Sequence, residues 1–314
     1  MTNTTKTHAL HYGLLAILAI AFMILPQYHS GNLARVMVLA IYAMGYNILF
    51  GYTGLLSLGH ALFFSAGMYG LGLTMHLGGW TPAPAFLAAL LASAVVATVI
   101  GFLVLRTSGV AFMIVTLMFA QAGYLTILYF GTYTRGDEGF ALQQATRQLM
   151  GLDLTDQTIR YYTALILFSA TLLLLAYFIR SPFGRTLIAI RENEERAKML
   201  GYNVTAIKLK AVILSGVISG ASGGAYALLF GNTGATFATV QFSILPLLWV
   251  LVGGAGTTTG PFIGVLFMTY LIDYASGQTT AYLIVVGVVL VLVTLFLPHG
   301  IVGTLRNKYA GWLP

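Results

Sequence analysis

Residues 84–105 read PAFLAALLASAVVATVIGFLVL, an apolar run that ends at Arg106. An α-helix needs about 20 apolar residues to cross a hydrocarbon core of ~30 Å, so this run predicts a membrane span. Nine other apolar runs approach or reach that length, at 9–25, 33–50, 57–77, 109–130, 161–179, 211–230, 242–254, 261–275 and 282–297. The sequence therefore predicts an all-α, polytopic helical membrane protein with about ten transmembrane segments in one domain, residues 1–314.

The composition also indicates a membrane environment. Charged residues make up 7% of the 314 residues and hydrophobic residues make up 58%, whereas a typical soluble domain is about 25% charged. Because so few charges cannot cover so much apolar surface in water, the bilayer has to receive that surface. The chain has no cysteine, which excludes a disulfide framework, a thiol nucleophile and a cysteine metal site.

The positive charges are unevenly placed. The 131–160 insert holds three arginines and four carboxylates, a net charge of −1, whereas the 180–210 segment holds seven basic residues and three glutamates, a net charge of +4. Since positive loops face the cytoplasm, we expect 131–160 to be an external loop insert and 180–210 to be cytoplasmic. The same topology places both termini inside, together with Lys6, Arg106, Arg306 and Lys308. Arg35 is the exception, and we expect it to snorkel or to pack in the bundle.

Two glycine clusters, 51–59 and 253–260, interrupt apolar runs together with Thr and Ser. For a single glycine the simplest interpretation is close helix packing in lipid. A cluster that breaks an apolar run is typical of a discontinuous helix, whose irregular backbone survives at membrane depth only inside protein or beside a wet cavity. The two clusters lie in opposite halves of the chain and each precedes a helix, which indicates an internal repeat.

Motifs of enzymes and carriers are missing from the sequence. It contains no G-x-x-x-x-G-K-[ST] loop for ATP, no histidine spacing typical of a metal site, and no G-x-S-x-G setting around Ser57 and His60. We therefore expect no catalytic residue, no metal site and no cofactor on this chain. Ion-coupled carriers need ionisable groups in the membrane, but Asp273 falls near the external end of its predicted span and is interpreted as an interfacial carboxylate. We interpret His60 and His76 as hydrogen-bonded structural residues.

The 180–210 segment predicts a short amphipathic helix. Ser181 and Pro182 favour a helix start, Gly201 favours a stop, and Asn203 favours a cap for the following span. The apolar face of this helix consists of Leu187, Ile190, Ala197 and Leu200. Such a helix either lies on the membrane surface or docks into a groove on another protein, and the residues leave both alternatives open.

Several of these runs resemble the permease subunits of branched-chain amino-acid ABC importers. Residues 51–69, GYTGLLSLGHALFFSAGMY, resemble the glycine-serine-glycine-histidine signature of that family. Residues 181–201 resemble its cytoplasmic coupling segment, and residues 251–261 and 295–300 are similar to further family segments. The SPFGR run that begins at 181, together with the external insert, resembles the LivM type of subunit rather than its LivH-type companion.

The coupling loop of importer permeases follows the pattern E-A-A-x-x-x-G. Glu195, Ala197 and Gly201 keep that spacing, whereas Arg196 replaces the second position. The resemblance implies an ATPase-coupling set consisting of Arg185, Arg191, Glu192, Asn193, Glu195, Ala197 and Gly201. It also implies a set that lines the translocation path or its gate, consisting of Gly51, Tyr52, Thr53, Gly54, Ser57, His60 and Gly256.

The resemblance further implies an ABC-importer permease fold in the bacterial inner membrane. The implied partners are a second, LivH-like permease, two cytoplasmic ATPase subunits that bind ATP and Mg²⁺, a periplasmic solute-binding protein and membrane lipid, with no nucleic acid. The implied solute is a branched-chain amino acid, with urea or a short amide as the alternative. Two other functions stay open at this point, a passive channel for urea or another small neutral solute and an ion-coupled carrier.

Overall fold

The computed structural model of the protein describes residues 3–149 and 151–308. Its helices in chain order are α1 (Asn3–Ile24), α2 (Gln27–Asn47), α3 (His60–His76), α4 (Pro82–Val104), α5 (Gly109–Tyr129), α6 (Gly131–Thr134), α7 (Gln157–Arg180), α8 (Pro182–Glu192), α9 (Glu194–Met199), α10 (Val204–Phe230), α11 (Val240–Gly253), α12 (Gly260–Gln278), α13 (Tyr282–Phe296) and α14 (Gly300–Lys308). Each of the ten predicted spans lies on one of these helices.

Within the described residues, six helical stretches are long and apolar enough to cross a membrane, and two further apolar helices are shorter. The six are Gln27–Thr53, Pro82–Val104, Gly109–Tyr129, Gln157–Arg180, Val204–Phe230 and Tyr282–Lys308. The shorter two are Ala9–Ile24 and Val240–Gly253. The predicted fold class is confirmed, because most of the described residues are helical and several of the helices are long and apolar enough to span a membrane.

Short strands organise the insert between α5 and α7. Strand β1 (Phe140–Ala141) pairs antiparallel with β4 (Asn232–Thr233), which follows α10. Strands β2 (Gln148–Leu149) and β3 (Leu152–Asp153) pair with each other. The insert therefore packs where α10 ends and α7 begins, and we call this end of the bundle the insert end.

Helices α2, α3 and α10 form the buried centre, where backbones touch. A Cβ atom added to Gly67 would lie 2.0 Å from the Gly220 carbonyl oxygen, and one added to Gly223 would lie 1.9 Å from the Phe64 carbonyl oxygen. Small residues permit this approach, which matters because no hydrophobic force draws helices together in lipid. These glycines serve close packing, as the simplest interpretation of a single glycine predicts.

The opposite end of the bundle carries basic side chains, and we call it the basic end. Arg106, Arg191 and Lys208 line one cavity of about 330 Å³, and Arg191 and Arg306 line a second of about 280 Å³. The predicted topology requires these residues to share one end, and they do. Lys6 lies in α1, but its side chain is outside the described part of the chain. Residues 1–2 and 309–314, which include both termini, also lie outside the described residues. Which side of the membrane the basic end faces stays a prediction.

Two ionisable residues within predicted spans lie at the insert end. The Arg35 guanidinium lies 5.6 Å from the ring centroid of Phe230, so this arginine packs against the bundle through a cation–π contact. Asp273 accepts a hydrogen bond of 2.6 Å from the Tyr28 hydroxyl in an exposed position, which agrees with an interfacial carboxylate.

Candidate functional site

The first glycine cluster is a helix break. Helix α2 runs into a π-helical turn, Ile48–Thr53, which ends at Gly54. Gly54 has φ +76°, a left-handed conformation that favours glycine, and the chain stays irregular until α3 begins at His60. A Cβ atom added to Gly51 would lie 2.5 Å from the backbone nitrogen of Gly256. The first break therefore touches the second glycine cluster directly.

The second glycine cluster also interrupts the helices. Helix α11 ends at Gly253, and Gly254 and Gly256 follow with φ +123° and +73°. Thr257 Oγ1 donates to the Gly254 carbonyl oxygen at 2.7 Å and accepts from the Gly260 nitrogen at 3.2 Å. The threonine hydroxyl thus closes the loop and accepts from the first backbone nitrogen of α12, which explains why Thr accompanies the glycines.

Asn47 joins the two breaks. Its Nδ2 donates to the Thr257 carbonyl oxygen at 2.9 Å, and its Oδ1 accepts from the Gly256 nitrogen at 3.0 Å. The Asn47 side chain is buried, with 3% of its surface exposed. Sequence reasoning missed this residue, although one amide inside the apolar run 33–50 was a usable signal, because a buried amide needs partners.

Four other residues of the predicted path set, Tyr52, Thr53, Ser57 and His60, are buried near the first break. Tyr52 is buried, and Ser57 Oγ accepts a hydrogen bond from the Gly59 nitrogen at 3.2 Å. His60 Nε2 lies 2.8 Å from Ser215 Oγ on α10, the hydrogen-bonded arrangement expected of a structural histidine. These contacts attach the first break to the core, and their part in a solute path stays a prediction.

The 180–210 segment forms two helices instead of the one expected. Helix α8 begins where Ser181 Oγ accepts from the Gly184 nitrogen at 3.3 Å. It ends at Glu192. The next residue, Asn193, has an extended backbone, and its Oδ1 accepts from the Arg196 nitrogen at 2.9 Å and so caps α9. The single-helix prediction is wrong because this asparagine starts a new helix. Gly201, at φ +86°, lies in the turn after α9.

The predicted apolar face is correct for three of its four residues. Leu187, Ile190 and Ala197 are buried against the bundle. Leu200 is 72% exposed, beside Met199 at 85%, so including it in the face was wrong. Helix α9 ends at Met199, and beyond the helix end the spacing of a helical face no longer applies.

An ion-pair group fastens α9 to α10. Lys208 Nζ lies 2.5 Å from Glu194 Oε2, and Lys198 Nζ lies 3.4 Å from Glu194 Oε1 and 2.9 Å from Glu195 Oε1. The hydrogen bond from Lys208 lowers the pKa of Glu194 below its ordinary value. The ionised Glu194 carboxylate therefore connects the short helix α9 to α10 through Lys208.

Arg191 connects the 180–210 segment with both breaks. Its Nη1 donates to the Gly51 carbonyl oxygen. A Cβ atom added to Gly54 would lie 3.0 Å from Arg191 Cγ, and one added to Gly256 would lie 3.1 Å from Arg191 Nη1. The rest of the charged coupling set is exposed at the outer surface of the segment, namely Arg185, Glu192 and Glu195. Arg191, a residue of the surface helix α8, therefore contacts both irregular loops.

The two cavities at the basic end meet these loops. Thr53 and Gly54 line the cavity of about 330 Å³, Thr257 lines the cavity of about 280 Å³, and Arg191 lines both. In the part of the chain that the structure describes, no three His, Asp or Glu side chains group to hold a metal ion. The hydrogen bonds between the two breaks therefore lie beside open space at the basic end.

The sequence matches known permeases over most of its length. Residues 29–294 match the family described as branched-chain amino acid transport system, permease component. The chain is 27% and 28% identical to the "high-affinity branched-chain amino acid transport system permease protein LivM" of Salmonella typhimurium and of Escherichia coli, over 94% of this chain and 75% of each relative.

A "probable branched-chain amino acid transport permease protein LivM" of Methanocaldococcus jannaschii is 31% identical over 156 residues, which cover 44% of this chain and 45% of that relative. No solved structure matches the chain. The family match, which extends from α2 to α13, includes both helix breaks, Asn47 and the 180–210 segment. The chain therefore belongs to the branched-chain amino acid transport system permease family.

Proposed function

We propose that this chain is the transmembrane subunit of an ATP-driven importer in the bacterial inner membrane. With a second, LivH-like permease it forms the path for branched-chain amino acids or a similar small solute. An external solute-binding protein delivers the solute, and two separate ATPase subunits bind and hydrolyse ATP with Mg²⁺. The observation that carries this proposal is the hydrogen bond from Arg191, on the surface helix α8, to the carbonyl oxygen of Gly51 in the first break.

The Arg191 contact supports mechanical coupling. Helix α8 rests on the bundle through Leu187 and Ile190, so a force on its outer surface moves α8 as one body. Arg191 then shifts relative to Gly51, and Asn47 carries the displacement from the first break to the second. A protein with two packed arrangements responds by changing the population of each. ATP binding on the partner therefore biases the gate through this side chain.

The exposed turn after α9 is the docking element in this proposal. Met199 and Leu200 are strongly exposed and Tyr202 is 47% exposed, with Gly201 in the left-handed conformation between them. Apolar side chains presented on a charged segment suit a groove on another protein. The exposed charges of the coupling set lie on the same segment and would fix its orientation in that groove.

The proposal also sets the orientation of the chain. The basic end, with the 180–210 segment and both termini, faces the cytoplasm, and the 131–160 insert faces the outside. Because the chain has no cysteine, Glu195→Cys and Glu138→Cys each create a single labelling site. We expect an impermeant maleimide to label Glu195→Cys only from the cytoplasmic side and Glu138→Cys only from the outside. The opposite pattern contradicts the orientation.

The central experiment is uptake by the reconstituted complex. The chain, the second permease, the ATPase subunits and the binding protein are placed in proteoliposomes, and radiolabelled leucine is followed with ATP, without ATP and with a non-hydrolysable analogue. We expect uptake only with hydrolysable ATP and the binding protein. Flux through this chain alone, or uptake that follows a proton or sodium gradient without ATP, contradicts the proposal.

A further inference from the structure

Three arginines gather where α10 ends. The guanidinium carbon of Arg35 lies 5.6 Å from the ring centroid of Phe230, and that of Arg160 lies 5.7 Å from the same centroid. Arg147 Nη1 would lie 2.9 Å from a Cβ atom added to Gly231, the next residue. The side chains come from α2, from the insert and from the first turn of α7, and we call them the arginine cluster.

Nearby carboxylates neutralise the positive charge of the arginine cluster only in part, with Asp153 acting on Arg147 and Asp156 acting on Arg160. Within the described residues, no carboxylate oxygen lies in salt-bridge range of these three guanidinium groups. The two nearest carboxylates serve the backbone instead. Asp153 Oδ1 accepts from the nitrogen and the hydroxyl of Thr155 at 2.8 and 2.6 Å, and Asp156 Oδ1 caps α7. Three cations therefore share one site in which none of them forms a salt bridge.

Burial raises the cost of this unpaired charge. The Nε atoms of Arg147 and Arg160 are buried without a hydrogen-bond partner in the described structure, and buried charges normally require one. Burial lowers the pKa of Arg147 below its ordinary value, the nearby Asp153 carboxylate offsets part of that shift, and the positive charge of Arg160 adds a smaller lowering. Arg35, which lies within a span, is also costly in a bilayer, where ionisable residues mark functional sites. An arriving anion would relieve all three penalties.

An aromatic surface adjoins the arginine cluster and leads into the bundle. The rings of Phe230 and Tyr226 lie 4.9 Å apart, and Tyr226 and Phe237 lie 5.0 Å apart. Phe237 sits in the 3-10 turn between β4 and α11 and reaches Phe64 on α3 at 6.0 Å. Phe64 precedes the end of α3 by twelve residues, which is about 18 Å of helix. The ring contacts therefore lead from the half-buried Tyr226, Phe230 and Phe237 to the buried Phe64, well below the insert end.

We propose that the arginine cluster binds the carboxylate of the transported solute at the insert end, while the aromatic surface of Tyr226, Phe230 and Phe237 receives its apolar side chain. Guanidinium groups bind carboxylates through paired hydrogen bonds, and aromatic rings accept an aliphatic group without directional demands. This site selects a carboxylate-bearing solute with an apolar side chain over urea or a neutral amide. The inference rests on the proposed import function and adds the residues of this chain that would hold the solute.

The test uses Arg147→Gln and Arg160→Gln in the complete reconstituted complex. The matched control is Arg135→Gln, which removes one exposed positive charge from the same insert away from the cluster. Leucine uptake is measured over a range of binding-protein concentrations, and the ATPase rate of each complex verifies assembly. We expect kcat for leucine uptake to fall about tenfold or more in both cluster variants, as the loss of a charged hydrogen bond predicts, with the KM for binding protein unchanged.

Other outcomes overturn the inference. Wild-type kcat in the cluster variants removes the site, and a raised KM for binding protein with unchanged kcat assigns the cluster to docking of that protein. If kcat for leucine uptake by the wild-type complex falls to the value of the cluster variants in vesicles without anionic lipid, the arginine cluster binds lipid phosphate instead. If the glutamine variants do not assemble, Arg147→Lys is used, because it keeps the charge but loses the paired hydrogen bonds of the guanidinium group. A lowered kcat for leucine uptake then supports the site, and a wild-type kcat overturns it.

The proposed function fails separately from this inference. A wild-type complex that shows no ATP-driven uptake contradicts the import function, whatever the arginine variants do. A wild-type complex that transports leucine, together with cluster variants that match Arg135→Gln, contradicts the arginine site alone.

Discussion

Replacing Arg191 with glutamine tests how the surface helix reaches the gate. Glutamine keeps a polar side chain of moderate length but removes the charge and the guanidinium donor that binds the Gly51 carbonyl oxygen. The contacts of α8 with the bundle through Leu187 and Ile190 remain. The substitution therefore separates anchoring of α8, which should survive, from transmission to the breaks, which should not.

The size of the effect follows from the hydrogen bond that is lost. A hydrogen bond to a charged group contributes about 1.5–3 kcal/mol. Much of the Arg191 side chain is exposed, and solvent screening favours the low end, about 1.5 kcal/mol. Since about 1.4 kcal/mol is a factor of ten in an equilibrium constant, we expect the ratio of solute imported to ATP hydrolysed to fall about tenfold.

The assay measures leucine uptake and phosphate release in the same proteoliposomes. Lys210→Gln is the control, because it removes a positive charge from an exposed position of the same segment without touching a break. We expect Arg191→Gln to hydrolyse ATP at a rate close to that of the wild type while importing little leucine. Arg191→Lys keeps the positive charge and should retain part of the wild-type ratio of leucine imported to ATP hydrolysed.

A wild-type ratio in Arg191→Gln would refute this reasoning, since the guanidinium contact would then carry no coupling. Equal loss of ATP hydrolysis and uptake would also refute it, because that pattern indicates failed docking of the ATPase rather than lost transmission.

The other predictions concern the joined breaks, the docking turn and pH. Asn47→Asp loses the donor to Thr257, and we expect about 1–3 kcal/mol of destabilisation, seen as a lower Tm of the purified protein, whereas an unchanged Tm contradicts the joining role. Gly201→Glu, at φ +86°, should insert normally but abolish ATP-driven uptake, and normal ATPase binding and transport in that variant count against the docking turn.

Because Lys208 lowers the pKa of Glu194, the ion pair stabilises α9 above the ordinary glutamate pKa and is lost as the pH falls through the lowered value. The protection of the α9 amides against hydrogen exchange, corrected for the intrinsic pH dependence of exchange, should therefore decrease in acid, and Glu194→Gln should remove that decrease.

The local pattern of the chain was enough to locate its apolar helices. Apolar length is a property of contiguous residues, because a span has to satisfy its own backbone hydrogen bonds inside lipid. The same holds for the breaks, since Gly54 and Gly256 need left-handed backbone at their own positions. Asn193 was also readable locally, because an asparagine before two glutamates is a helix cap, yet the amphipathic pattern around it favoured a continuous helix.

Contacts between distant segments required the tertiary structure. Asn47 lies about 210 residues from Thr257, and no periodicity in either segment indicates that they meet. Arg191 was chosen from the sequence as a charge partner for the ATPase, whereas the structure directs it inward to the Gly51 carbonyl oxygen. The arginine cluster depends on side chains from α2, the insert and α7 that converge where α10 ends.

The sequence by itself determined that this protein lies in the membrane, where its helices break and which segment carries its positive charge, because each of these depends on neighbouring residues and the bilayer. Only the tertiary structure decided which side chain links the surface helix to the breaks and which cations share one site, because those contacts depend on how the helices pack across the whole chain.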